Sequence, residues 1–494
     1  MIGYTSNAQA RFAELAAKLE EDEIRRADYF DEAIRIYEGF DDRRQAQRLR
    51  DLRDNPPEED TAWKLAPGVG LGLRLGNAAV LIRLDIDNDG DRRSVPSMIS
   101  RDDFSLIEEL SGGTLVPHGF TKLFSHNWME ASCQLGRFFG AEADRPHDLP
   151  DAIAVAQSIR IESDDVLLQA LPLELARLEP GDQILCELAV RSVVYRASTR
   201  EQSEFARVRW LQTALSKLTE QTSLPTDGKF GPGTRGALAE FQTGAGLEAD
   251  GRVSDETLAA MGGQLRDAAP PPRVLVVAAS DADDRTHLRG VSRWGVRWDE
   301  IYRQHGCEAE GCSSLDAKYL EVLLQSFRPR VLHICCPLQE DPSLGGVYLD
   351  LSGADANTGD RMTGKKLSRL LASASEGSAE PIVILDVPWP SQELEAVRQL
   401  FLRNAFGMEL FRGCRLGNVL CAGLVVSGKP TLETEERCHD FAKLIRTEDS
   451  WKTLVQKTHR AMPAGNFSLL EALPNATALF THDPTLPLTG SFTR

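Results

Sequence analysis

An α/β fold with a mostly parallel sheet flanked by helices follows from two apolar runs and one change of hydrophobic period. Val331 to Leu338 reads Val-Leu-His-Ile-Cys-Cys-Pro-Leu, and Pro381 to Ser391 reads Pro-Ile-Val-Ile-Leu-Asp-Val-Pro-Trp-Pro-Ser. Short Val, Ile and Leu runs that reach a proline fit strands buried on both faces. Between them, Met362 to Leu371 changes to a helical pattern that Thr363 is placed to cap. In open α/β sheets the carboxyl ends of strands carry the chemistry, so these two tips are the first candidates for a site.

Length and composition bound the rest. A chain of 494 residues has room for two to four domains, and 42% hydrophobic with 26% charged residues is the balance of a soluble globular protein. The formal net charge of -18 argues against nucleic acid and anionic membrane as partners, since both repel an acidic surface. Nine cysteines without a CxxC pair read as reduced thiols of a cytoplasmic protein. Neither a signal peptide nor an apolar run of about 18 residues is visible.

In chain order, residues 1–60 form an N-terminal helical segment. Phe12, Leu15, Ala16 and Leu19 share one helical face, as do Ala27, Phe30, Ile34 and Tyr37. Residues 61–160 are an α+β region of unknown fold. In it, Val69, Leu71, Leu73 and Leu75 alternate with small or polar residues, Gly76-Asn77 turns the chain, and Val80 to Ile86 returns as a hairpin. Asp85, Asp87, Asp89 and Asp91 with Gly90 open like a calcium loop. Position twelve is Pro96 rather than a carboxylate, so an acidic turn competes with a weak divalent site. No other metal or cofactor is expected; His118, His126, His147 and Cys133 lack ligand spacing.

From Val208 to Met261, Val208-Arg-Trp-Leu-Gln212, Thr226-Asp-Gly-Lys-Phe-Gly231, Phe241-Gln242, Asp250-Gly251 and Thr257-Leu258 resemble the peptidoglycan-binding-like domain, a three-helix module. The resemblance implies binding of cell-wall glycan; reuse as a protein-interaction unit or spacer is the alternative. Trp210, Phe230 and Phe241 are its candidate binding residues.

The flanks are similar to the CHAT family of caspase-like domains. Val166-Leu-Leu-Gln-Ala-Leu-Pro-Leu-Glu-Leu175 and Arg191-Ser-Val-Val-Tyr-Arg196 match its opening, with Leu173 where the family has Trp. Arg273 to Ser280, Val331 to Cys336 and Ile382 to Asp386 match its later strands. The expected organisation is therefore a first caspase-like part at 161–200, the helical module inserted at 201–265, and the main part at 270–490. Active relatives of that clan use a cysteine nucleophile and a histidine at the two strand tips. Here the resemblance puts Pro337-Leu338 at the histidine-glycine position and Pro388 at the cysteine position, and proline has neither a thiol nor a backbone N–H.

The reading is a catalytically dead caspase-like scaffold, adaptor or sensor of a bacterial assembly or defence-type system, acting through protein partners, with Trp389 as a binding handle. Two alternatives accompany it. One is an active cysteine peptidase with an atypical dyad from His333 and Cys335 or Cys336, although His333 and Cys335 share a face inside the sheet rather than at its tip; Ser391 and His305 have no visible partners for such a role. The other is a cell-wall-binding component of an exported contractile or phage-tail-like particle.

Overall fold

In the computed structural model, the described residues are 31–50 in part, 63, 68–76, 79–88, 91–100, 105–140, 146, 148–163, 165–178, 185, 193–197, 200–219, 224–268, 271–278, 298–312, 317–336, 338–341, 346–350, 361–375, 381–389, 392–414, 419–425, 439–445, 450–458 and 477–487. The strands are β1 Gly68–Leu75, β2 Ala79–Asn88, β3 Asp91–Ser100, β4 Ser158–Ser163, β5 Val193–Ala197, β6 Arg273–Ala278 and β7 Glu308–Cys312. They continue as β8 Val331–Cys335, β9 Leu338–Asp341, β10 Gly346–Asp350, β11 Arg361–Thr363, β12 Ile382–Trp389, β13 Val419–Val425 and β14 Ala478–Phe480. Six helices matter below: α1 Val166–Ala170, α2 Arg200–Leu218, α3 Pro232–Gly244, α4 Asp255–Ala268, α5 Gly364–Ser375 and α6 Glu393–Gly413.

Eleven strands form one sheet in the order β3-β2-β1-β4-β5-β14-β13-β12-β8-β6-β7, and β11-β10-β9 form a small second sheet. The fold is mixed α/β, as expected. From β13 to β7 the neighbours are all parallel, while β1, β2 and β3 form an antiparallel meander. The sequence-expected hairpin is the β1–β2 pair, with Leu75 opposite Val80 and Leu71 opposite Leu84. Its strands join the sheet by the parallel β1–β4 and β4–β5 pairs. The region 61–160 thus supplies β1 to β3 and the start of β4 to the same sheet. Among the described residues, β14 alone joins β1–β5 to the other strands of that sheet, pairing Leu479 and Phe480 with β5 and all three of its residues with β13.

Alternation along each strand gives the sheet two faces. Leu71, Ile82, Ile159, Leu275, Leu332, Leu385 and Phe480 lie on one, in a single apolar cluster. α6 runs through that cluster, and most of its residues from Ala396 to Phe411 are buried. A Cβ at Gly364 would come within 2.8 Å of Leu410 N and Phe406 O, so glycine lets the start of α5 touch α6. Thr363 caps α5 as expected, its Oγ1 accepting from Lys366 N at 3.2 Å.

The opposite face divides. Beneath the parallel half it is apolar, with Val274, Val331, Cys335, Ile384, Trp298 and Trp451 in a second cluster. Beneath β1, β2 and β4 it is charged. Arg83 Nη2 meets Glu162 Oε2 at 2.7 Å, Arg83 Nε meets Asp85 Oδ2 at 3.1 Å, and Arg160 Nε meets Glu162 Oε1 at 2.9 Å. A Cβ at Gly70 would sit 3.2 Å from Asp85 Cβ and 3.3 Å from Arg160 Nη2, so this glycine of the β1 stripe makes room for that layer rather than for a phosphate.

The connection from β1–β5 to β6–β14 is the helical module α2–α4. β5 and β6 lie five places apart in the sheet, roughly 24 Å at the usual strand spacing. The module therefore spans two distant strands instead of closing a short surface loop.

Candidate functional site

Strand order reverses at β6: the chain goes out to β7 and then returns past β6 to β8 and β12. Crevices beyond the carboxyl ends of strands at such a reversal are the usual ligand positions of open α/β sheets. Immediately below this edge lies a buried polar constellation. Asp386 of β12 is in register with Cys335 of β8, and His333 with Ile384, so His333, Cys335 and Asp386 share one face. His333 Nε2 lies 2.9 Å from Asp386 Oδ2, and Tyr302 Oη lies 2.9 Å from His333 Nδ1.

With Asp386 ionised, the carboxylate only accepts, so Nε2 carries the proton and Nδ1 accepts from the tyrosine hydroxyl. Trp298 stacks on the imidazole with centroids 4.2 Å apart, and Phe441 meets it edge-on at 6.3 Å. His333 and Cys335 are 0% exposed and Asp386 is 1% exposed. Trp298 Nε1 and Asp386 Oδ1 have no hydrogen-bond partner among the described residues.

As chemistry, this is a closed relay. Both ring nitrogens are committed, leaving neither to take a proton from the Cys335 thiol, and water does not reach the imidazole. The sequence placed His333 and Cys335 on one face inside the sheet, and they lie there in the structure. It did not supply Asp386 and Tyr302 as partners, which come from 53 and 31 residues away in the chain. The visible signal for Asp386 was an acid inside an otherwise apolar strand.

The other expected residues separate. Pro337 and Ser391 lie outside the described residues. The backbone of Pro388 and Trp389 continues β12, paired with Leu424 and Val425 of β13 beyond the last β8 pair at Asp386. Cys336 is 0% exposed and belongs to the cluster on the other face. His305 does have a partner: its Nε2 lies 3.0 Å from His439 Nδ1.

The weak divalent candidate, Asp85 to Asp91, falls on an acidic turn between two strands. β2 runs to Asn88 and pairs with β3 from Asp91, so the segment is a tight hairpin and not a twelve-residue coordinating loop. Asp85 is held by Arg83 and accepts from Ser94 Oγ. Asp87 and Asp91 are described by backbone alone, and Asp89 lies outside the described residues. Among the described residues no group of three or more His, Cys, Asp or Glu is placed to hold a metal, and no helix is long and apolar enough to cross a membrane.

The module repeats one motif twice. Gln212 Nε2 of α2 donates to Asp227 Oδ1 at 2.9 Å and to Lys229 O at 3.0 Å, while its Oε1 accepts from Gly228 N at 2.9 Å. Gln242 Nε2 of α3 donates to Asp250 Oδ1 at 3.1 Å and to Arg252 O at 2.8 Å, while its Oε1 accepts from Gly251 N at 2.9 Å. Thr234 and Thr257 complete the two sets. Gly228 and Gly251 have φ of 72° and 66°, the region where a side chain is strained. The hydrogen bond from Gln212, then the Lys229 N–H, holds the exposed Asp227 carboxyl below its ordinary pKa.

This geometry accounts for the Asp-Gly spacing that carried the resemblance. Residues 206–261 match the family model of a putative peptidoglycan binding domain. No curated protein matches the chain. Inside the module Trp210 is 5% and Phe241 4% exposed, which makes them core side chains rather than binding surface, a correction to the sequence reading. Phe230 is half-buried under the Arg235 guanidinium, 5.7 Å from its ring centroid. Phe205, which the sequence reading passed over, is 47% exposed.

Proposed function

We propose that the chain is a non-enzymatic scaffold or adaptor built on a degenerate caspase-like CHAT frame, 161–200 with 270–490, that acts through protein partners in a bacterial assembly or defence-type system. The observation that carries this reading is His333: it is the histidine on the strand leading to the candidate tip, fully buried, with both nitrogens taken by Tyr302 and Asp386. General-base work needs a nitrogen within reach of the group it deprotonates, and this one has none to spare. Pro388, the residue at the cysteine position of the resemblance, stands in a strand that continues its β13 pairing. The parallel strand order from β7 to β13 suits the same frame.

The test is labelling of the full chain with an electrophilic peptide and iodoacetamide across pH. The expected result is no selective adduct on Cys335 or Cys336. Selective, pH-dependent modification, with proteolysis abolished by Cys→Ala, would overturn the reading in favour of a peptidase with an atypical dyad.

The match over residues 206–261 supports a second reading, a glycan-binding component that meets the cell wall on an exported particle. Pull-down on purified peptidoglycan tests it. No enrichment over a chain lacking Val208 to Met261 counts against it.

A further inference from the structure

Trp63 lies far outside the matched module and yet belongs to the module's core. It is 7% exposed and shares an apolar cluster with Val208, Leu211, Val253 and Leu486. Its backbone forms a parallel bridge with Val253. The Arg207 guanidinium covers the indole at 4.9 Å from the ring centroid and reaches Asp483 Oδ2 at 3.6 Å. A backbone bridge, an aromatic ring filling an apolar recess and a cation over that ring are elements by which grooves hold peptides.

The occupant is not a perfect fit. The indole Nε1–H of Trp63 is buried without a hydrogen-bond partner among the described residues, which weakens its hold relative to a ligand that satisfied the donor. Leu486, at 7% exposed, comes from the opposite end of the chain to close the same recess. Arg207 over the ring and the exposed Arg252, next in sequence to Val253, are cations that suit an acidic segment. The sequence before Trp63 is acidic, Glu58-Glu59-Asp60.

We propose that this face of the module is a binding site for an extended, acidic peptide bearing an aromatic anchor, filled in this chain by Trp63 in cis. The inference deepens the scaffold reading and rests on it, because it names the surface and the class of partner that a scaffold would use. A partner segment of this kind displaces Trp63 from the recess.

The test uses the full chain and a fluorescent peptide of residues 58–68, read by anisotropy. A tethered occupant acts at an effective concentration of about millimolar, so the wild-type chain resists micromolar peptide and the Trp63→Ala chain binds it at least about tenfold more tightly. The same peptide with Trp63→Ala does not bind. Trp63→Phe, which keeps a ring in the recess, gives intermediate affinity and guards against unfolding by the smaller residue. Equal binding to all three chains, or binding to none of them while circular dichroism shows them folded, overturns the site. That outcome is independent of the cysteine labelling on which the scaffold reading stands.

Discussion

Glu174→Gln separates a structural role from a decorative one in the Leu171-Pro172-Leu173-Glu174-Leu175 segment. Glu174 is 1% and Arg196 0% exposed. Arg196 Nη2 donates to Glu174 Oε2 at 2.9 Å and to Leu171 O at 2.7 Å, its Nε donates to Gln169 O at 3.0 Å, and Nη1 also reaches the carboxylate. Removing one partner of a buried pair strands the other charge and costs about 3–5 kcal/mol. The two carbonyl bonds and the amide oxygen of glutamine remain, which points to the lower end, about 3 kcal/mol. Urea unfolding followed by tryptophan fluorescence measures it. Arg196→Met strands the Glu174 carboxylate together with the Leu171 and Gln169 carbonyls, so it is expected to cost more than Glu174→Gln. A loss under about 1 kcal/mol in Glu174→Gln, or an Arg196→Met variant no less stable than it, refutes the reasoning.

Three further outcomes follow from particular side chains. Lys217 Nζ is buried without a hydrogen-bond partner among the described residues, and burial, then the neighbouring Arg330, lowers its pKa to about 8. The unfolded chain therefore binds more protons between about pH 8 and the ordinary lysine value, and stability rises with pH across that window. Lys217→Met is expected to stabilise by about 1 kcal/mol at pH 7, after discounting for partial exposure, and to lose that advantage at pH 11 in matched unfolding curves. Gln242→Ala leaves Gly251 N–H and Arg252 O without their partner and costs about 2 kcal/mol, visible as faster amide exchange in α3 and α4 with the sheet unchanged. Among the described cysteines, Cys335 and Cys336 resist iodoacetamide in the native state, whereas the partly exposed Cys133, Cys312 and Cys414 react first; peptide mapping of the adducts checks it.

Local patterns were legible and distant pairings were not. The β1–β2 hairpin, the cap at Thr363 and the two apolar strands came from period and turn chemistry that act over a few residues. The module came from its Asp-Gly spacing, which the twin glutamines explain. By contrast, nothing in residues 158–163 announces that β4 pairs in parallel with β1, because parallel pairing joins segments far apart and leaves no turn between them. The candidate site failed to show in the same way: His333 was evident, but its partners Asp386 and Tyr302 approach only once the sheet is assembled. The aspartates at 85 to 91 left two readings open because a carboxylate pattern is shared by coordinating loops and by hairpins; Arg83 on the same strand and Ser94 across from it hold Asp85 in a hairpin.

The three residues of β14 have a further consequence for the order of events during synthesis. A ribosome delivers β1 to β5 early, with the free edge of β5 exposed, and β13 later with its own. Neither edge closes until Ala478, Leu479 and Phe480 emerge and zip the halves together. For the whole time it takes to translate more than 280 residues, from Ala197 to Ala478, the edge of β5 has no described strand to pair with, and unpaired edges of that kind are where nascent chains associate wrongly.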